Sequence, residues 1–498
     1  MSALRTSPHV LAGRLRKVVD AIGWPVADDT PGQLRPAIAE LLEEGTPGGL
    51  WLTLAVLRGR FPDVAQVEDA ARSIRLDGAE ALLRQEADAL TRRFADGDVA
   101  EVQVLTDAII VDVNHTAGTD SISGIQRVAR EIAPRWQALG QPEFVGWSDG
   151  YRTLRPLTAA ERDRLGLTGP GPNGSTRLVP WRGTYISPEL TAEPPRARAL
   201  QALGRFGRTP LNFIGYDCIP VTNGGTVAPG MSSSYLGYLA AVRYANRVSM
   251  ISEASAGELL GWRRMARAAG FQGPEIAPIE LPVEAAPSDV EALTEARREF
   301  CVPGAPLVLV VGSHEPRKNH LAVLHAAELL WREGVRFNLV LVGSGSWQVQ
   351  RFDARVDELQ RAGRQVVCCT GLPDELLWAA YRLARFVVFP SLNEGYGLPI
   401  AEALAVGTPV VTSGFGSMRQ IVAPHGEPSG GLLVDPRDDH AIADGMRRLL
   451  VDEELWQRLR AEARAEGRRT WDTYAAETWA FLTAQPRRLR QLADQRPE

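Results

Sequence analysis

Lysine is nearly missing from this chain: of 55 basic residues only Lys17 and Lys318 are lysine, and all the others are arginine. The bias reflects coding composition rather than function, yet it makes each remaining lysine conspicuous. No block of Lys or Arg tracks along the chain and the formal net charge is −5, which argues against a nucleic-acid partner. Cysteine is scarce as well. Cys218, Cys301, Cys368 and Cys369 form no Cys-x-x-Cys pair and no zinc spacing, so neither a disulfide framework nor a structural zinc is expected. No N-terminal stretch reads as a signal peptide, and no apolar run approaches the ~20 residues of a bilayer-spanning helix. The expectation is a reduced, cytoplasmic chain. No Gly-x-Gly-x-x-Gly follows a strand-like run, which argues against a dinucleotide-dependent dehydrogenase.

What is present is ample apolar material, 45% of 498 residues, enough for about three domain-sized units. The densest chemistry lies in Phe389–Val411, FPSLNEGYGLPIAEALAVGTPVV. Phe386 to Phe389 is a short continuous apolar run bounded by Pro390, the pattern of a buried parallel strand. Glu394 follows in a loop loosened by Gly395 and Gly397. Pro399 has the fixed φ that suits a first helical turn, so a helix is predicted from Pro399 to Val406 with Glu402 in its first turn, stopped by Gly407. Such a strand, glycine loop and helix aim unpaired N–H groups at the crevice above the strand ends. Those donors favour an anion, while two carboxylates beside them can accept hydrogen bonds from sugar or ribose hydroxyls. A phosphate and a polyol in one crevice point to a nucleotide sugar.

The stretch EGYGLPIAEALAVGTPVV resembles the Glu-x7-Glu signature of retaining glycosyltransferases of family 4. The resemblance implies a GT-B α/β fold, two Rossmann-like domains facing across a crevice, here preceded by an α-helical region. Leu307–Val311 is a continuous apolar run that reads as a strand, and after it GSHEPRKN resembles the family's Arg-Lys pair, which implies that Arg317 and Lys318 bind the donor diphosphate. Two cations at a strand end beside a helix start would also neutralise a leaving group. By the same resemblance Glu402 would hold the ribose hydroxyls and Glu394 those of the donor sugar. Gly395, Tyr396, Gly397 and Leu398, with Gly312, Ser313 and the Gly343 loop that leads to Trp347, would line the donor site. DVNHTAGTDSISGIQRVAR resembles the family's first loop and helix. It makes Gly124 a candidate for close approach to the donor, with Arg127 behind it. Relatives commonly carry His-Asp-x-x-Pro where this chain has Tyr216, Asp217, Cys218, Ile219 and Pro220. Asp217 is therefore a candidate acceptor-side catalytic group, and His115 a substitute for the missing histidine. Gln420 stands where relatives have a glutamate.

The domains expected are a separable helical region at 1–104, an acceptor-side Rossmann-like domain at 105–285, a donor domain at 286–467 and a C-terminal crossing helix and tail at 468–498. Residues 140–210 read as irregular, an insertion or a hairpin. The first helix carries Leu11, Leu15, Val18, Val19 and Ile22 on one face with Arg14, Arg16 and Lys17 around it, the pattern of a helix packed on the helices that follow, with anionic lipid as the alternative surface. The implied activity is metal-independent, retaining hexosyl transfer without a cofactor from a nucleotide sugar to a glycan or lipid-linked glycan acceptor. GDP-mannose is the favoured donor and UDP- or dTDP-sugars the others. The alternative is a catalytically degenerate GT-B protein that binds nucleotide sugar as a scaffold.

Overall fold

The computed structural model describes residues 7–25, 30–95, 100–120, 123–169, 176–345, 349–463 and 469–484. Five helices open it: α1 (Ser7–Ile22), α2 (Pro31–Glu43), α3 (Pro47–Arg58), α4 (Val64–Asp77) and α5 (Ala79–Ala95). α3 is buried along its whole middle, Gly48 to Leu57, as expected of a helix apolar on every face. The other four wrap it. Asp63 caps α4 by accepting from the Gln66 N–H while the Gln66 side chain accepts from the Asp63 N–H, a reciprocal cap legible in the spacing.

These helices do not form a unit of their own. Leu15, Val18, Trp51, Leu54 and Leu83 share one continuous core with Val102, Leu105, Leu178, Val179 and Trp181 of the first sheet. The boundary at 104 is corrected accordingly, because it cuts strand β1 (Val102–Thr106), whose Val104 pairs with Val179. Of the two readings of α1, packing on its neighbours holds and the lipid-facing one does not, since Leu15, Val18 and Val19 are 3% exposed or less. Among the described residues no helix is long and apolar enough to cross a membrane.

The first sheet continues with β2 (Ile109–Asp112), β3 (Glu143–Trp147), β4 (Leu154–Pro156), β5 (Arg177–Trp181), β6 (Thr184–Ser187), β7 (Leu211–Gly215), β8 (Arg247–Met250) and β9 (Glu275–Pro278). Their order is β1-β5-β4-β3-β2-β6-β7-β8-β9, and only β4 runs antiparallel to its neighbours. Residues 140–210 are thus no insertion: they supply β3 to β6 and the helix Pro194–Phe206. Gly183 lets the β5–β6 turn pass over Ala108, whose carbonyl oxygen would lie 2.0 Å from any Cβ there.

The second sheet holds β10 (Leu307–Val311), β11 (Asn338–Val342), β12 (Val366–Cys369), β13 (Phe386–Phe389), β14 (Val410–Ser413) and β15 (Gly431–Val434), all parallel, in the order β12-β11-β10-β13-β14-β15. Its strands are apolar throughout because both faces are covered: Val308, Val310 and Phe386 face one core, Leu309, Val311 and Phe389 the other. Strand order reverses between β10 and β13, and between β2 and β6 in the first sheet, the switch points where open α/β sheets leave a ligand crevice. The last helix, Trp471–Thr483, returns to the first domain. The Trp136 indole N–H donates to the Ala475 carbonyl at 3.0 Å and its ring lies 5.7 Å from that of Trp479.

Candidate active site

At the end of β10 the chain passes through Gly312, Ser313 and a short turn, Pro316–Lys318, into the helix His320–Arg332. Asn319 makes this connection in the left-handed region, φ 61°, and its side-chain amide donates to the Pro390 and Pro436 carbonyls at 3.2 and 2.7 Å. Asparagine tolerates that conformation better than most side chains. The turn is thereby fastened to the end of β13, and Arg317 and Lys318 face the Ser391–Glu394 loop. Arg317 Nη1 lies 2.7 Å from Glu394 Oε2, and Lys318 Nζ lies 2.7 Å from Glu394 Oε1. Ser391 Oγ donates to Glu394 Oε1 at 2.6 Å. Burial would raise the Glu394 carboxyl, but Lys318 and Arg317 hold it down to about 2. Arg317, Lys318 and Glu394, implied separately by resemblance, meet at the switch point as one largely buried cluster. Ser391 belongs to it without having stood out in the sequence.

Gly312 lies against the Lys318 stem, 3.5 Å from where a Cβ would stand, and Gly343 crosses so close that a Cβ would meet the Gly312 carbonyl oxygen at 1.9 Å. Both glycines therefore let strand ends and the cation turn pack together. Ser313 Oγ donates to Glu315, not into the crevice. Trp347 lies outside the described residues.

The first domain reaches the same loop. A Cβ at Gly395 would stand 2.9 Å from the Tyr216 carbonyl oxygen and 3.2 Å from Asp217 Oδ2, so glycine there permits the two domains to touch. Asp217 accepts from the Ile219 N–H at 3.0 Å. Burial pushes its carboxyl up to about 6, with that N–H and Arg317 opposing. Ser252 and Ser255 hydroxyls both donate to the Gly395 carbonyl, at 2.6 and 2.7 Å. Ser252 caps the following helix by accepting from the Ser255 N–H.

Helix Leu398–Ala405 starts one residue earlier than expected, after Gly397 at φ 118°. Glu402 consequently sits in its second turn, 5% exposed. Its carboxylate is taken by Arg127 Nη1 at 2.6 Å and the Tyr381 hydroxyl at 2.8 Å. Arg127 comes from the first-domain helix Gly124–Gly140, whose Gly124 abuts Leu398. Glu402 is thus an interdomain contact here rather than a carboxylate facing open space. Tyr396 also departs from the donor-lining reading. Its ring packs where the two domain cores meet and its hydroxyl donates to the Leu281 carbonyl at 2.8 Å.

Tyr216 is a strut. Its hydroxyl donates to the Pro188 carbonyl at 2.6 Å, and burial drives its pKa well above the ordinary phenol value, so it offers no base. His115 stands at the end of β2, paired with Glu193, whose hydrogen bond raises the imidazole against the effect of burial. Behind them Arg196, 0% exposed, lies 2.9 Å from Asp112 and 3.6 Å from Glu189. That buried network lacked any motif; only the fold brings its strand ends together. Gln420 reaches the first domain, donating to Glu280 and accepting from the Ala254 N–H. Among the described residues no three His, Cys, Asp or Glu side chains cluster as metal ligands would.

Two facing α/β sheets with the cluster at their switch points define the GT-B fold. HepE of Anabaena, solved with UDP and glucose, superposes with a TM-score of 0.55 over 76% of this chain and all of its own, at 15% identity. Residues 294–466 match the family model for glycosyl transferases group 1. The chain is 25% identical over 338 residues to the serotype-specific mannosyltransferase WbdA of Escherichia coli, covering 64% of this chain and 40% of that one. It is 34% identical over 172 residues to O-antigen chain mannosyltransferase B of Escherichia coli, 34% of this chain and 44% of that one. The matches span less than half the length of either relative.

Proposed function

We propose that this chain is a metal-independent, retaining glycosyltransferase of family 4, moving a hexosyl group from a nucleotide sugar to a glycan acceptor in surface polysaccharide assembly. The observation that carries the reading is the meeting of Arg317, Lys318 and Glu394 at the switch point, with Asp217 against the same loop from the opposite domain. Two relatives named as mannosyltransferases favour GDP-mannose as donor, with UDP- or dTDP-sugars next.

In this reading the donor diphosphate competes with Glu394 for the two cations. Arg317 and Lys318 then stabilise the charge that develops on the leaving group. The Glu394 carboxylate, released from them, accepts hydrogen bonds from donor-sugar hydroxyls, and Glu402 does so from the ribose once Arg127 moves away. Asp217 orients the acceptor hydroxyl. Attack comes from the face the phosphate leaves, and that phosphate takes the proton.

The test is a thermal-shift screen of nucleotide sugars followed by donor hydrolysis without acceptor and by NMR of the product anomer. GDP-mannose should stabilise the chain, hydrolyse slowly and transfer with retention. Arg317→Ala should lose all three. Stabilisation with neither hydrolysis nor transfer would instead favour a degenerate binding protein, and stabilisation by no nucleotide sugar would overturn both readings.

A further inference from the structure

Where α3 ends against the turn between β3 and β4, a cavity of about 300 Å³ is lined by Arg58, Arg60, Arg93, Arg152 and Arg177, with Asp149 the one acid in its wall among the described residues. Three of these guanidiniums are already engaged, Arg177 among them. Arg58 makes a forked pair with Glu86, at 3.1 and 2.5 Å. Arg93 donates to the Leu57 and Arg58 carbonyls at the end of α3, where Arg14 also donates to Leu57 at 2.7 Å, so the terminal carbonyls are already served.

Arg60 and Arg152 are different. Both side chains are exposed, and neither makes a side-chain hydrogen bond or ion pair among the described residues. They are nevertheless held side by side, because the Phe61 N–H donates to the Arg152 carbonyl at 2.8 Å. The backbone beneath is rigidly packed: Phe61 meets the Trp51 and Trp147 rings edge-on at 5.4 and 5.5 Å. Gly59 makes room for the Arg177 guanidinium, which has a partner of its own. At φ 59° it closes α3, and a Cβ there would stand 2.7 Å from Arg177 Nη1. Like charges converging on one concavity raise one another's energy, and an anion relieves them. Guanidinium forks match the oxygens of a phosphate in a bidentate way that ammonium groups do not.

We infer that this cavity is a phosphate-binding site, separate from the diphosphate cations at Arg317 and Lys318. It lies one turn from the ends of β2 and β6. Tyr151, in that turn, packs on Trp147, whose indole N–H donates to Asp112 in the network at the ends of β2 and β6. A phosphate seated here would anchor the outer end of a molecule whose other end reaches those strand ends. The inference does not depend on the glycosyl-transfer reading, and it gives the N-terminal helices a ligand-binding role.

The test titrates inorganic pyrophosphate into the full chain by calorimetry, comparing wild type, Arg60→Ala/Arg152→Ala and Arg317→Ala. The double variant, which removes no internal contact, should keep the wild-type melting temperature and lose at least 10-fold in one binding component that Arg317→Ala retains. Arg152→Lys should lose less. Vesicles of phosphatidylcholine with and without phosphatidic acid distinguish the source. Binding only to the vesicles that contain phosphatidic acid, lost in the double variant, assigns the phosphate to a lipid headgroup; pyrophosphate binding without vesicle binding assigns it to a soluble phosphate compound. Equal pyrophosphate affinity in wild type and the double variant, or none in wild type, would overturn the site.

Discussion

Lys318 occupies a space cut for a narrow cation. Its ammonium is 2.7 Å from Glu394 and 5.0 Å from the centre of the Phe389 ring, its stem lies on Gly312, and its side chain is 11% exposed. A guanidinium is wider, planar and needs fork geometry. Lys318→Arg is therefore expected to lower turnover about 10- to 100-fold although charge is kept, while Lys17→Arg, at α1 beside Glu101 and Val102, should leave it unchanged. Saturating-donor turnover of both variants checks this; wild-type turnover in Lys318→Arg would reduce the scarcity of lysine to composition. Asp217 makes a second prediction. Its carboxyl, raised to about 6 by burial, holds its proton below that pH and is ionised above it. Activity should thus rise with pH along an acid limb centred near 6, and the limb should vanish in Asp217→Asn. Glu394, held near 2, is ionised throughout and contributes no limb. An unchanged limb in Asp217→Asn would remove Asp217 from the acceptor side.

Among the elements, the five N-terminal helices have a consequence for truncation. Because their apolar faces complete the core of the first sheet, a chain beginning near Val104 would expose that face and lose the β1 edge strand. Burial is worth roughly 25 cal/mol per Å² of apolar surface, so the truncated chain is expected to be insoluble or molten. Far- and near-UV circular dichroism of the soluble fraction decides it, and a cooperative native-like melt would restore the helices as a separable unit. Legibility at this scale followed burial pattern. β10 and β13 run at Leu307–Val311 and Phe386–Phe389 as read from the sequence, since strands covered on both faces are unbroken apolar runs. β4 and β5 escaped notice: β4 has three residues ending in Pro156 and β5 carries Pro180, and proline within a short run argues against a strand.

For the molecule as a whole, the two domains are joined by polar contacts that include Ser252 and Ser255 on Gly395, Gln420 with Ala254, and Arg127 with Glu402. Arg127 and Glu402 are 275 residues apart in sequence and 2.6 Å apart in space. A double-mutant cycle of Arg127→Ala and Glu402→Ala, followed by denaturant unfolding, should give a coupling of about 1.5–3 kcal/mol, as for a hydrogen bond between charged groups. Small-angle scattering of Arg127→Ala should show a larger radius of gyration than wild type. Strictly additive losses with an unchanged radius would mean the pair is incidental to closure.

What the sequence by itself determined about this protein is local: the glycine loops, the short helix after Gly397, the cation turn before the helix at His320 and the apolar strands that lead into them. These follow from backbone freedom at glycine, fixed φ at proline and apolar periodicity, all properties of a few neighbouring residues. Only the tertiary structure decided which charges meet. That Glu394 holds both cations, that Asp217 rests on Gly395, that Glu402 accepts from Arg127 and that Arg60 stands beside Arg152 depend on how two sheets and five helices pack. A side chain's partner is chosen by distance and burial in three dimensions, and spacing along the chain carries no record of either.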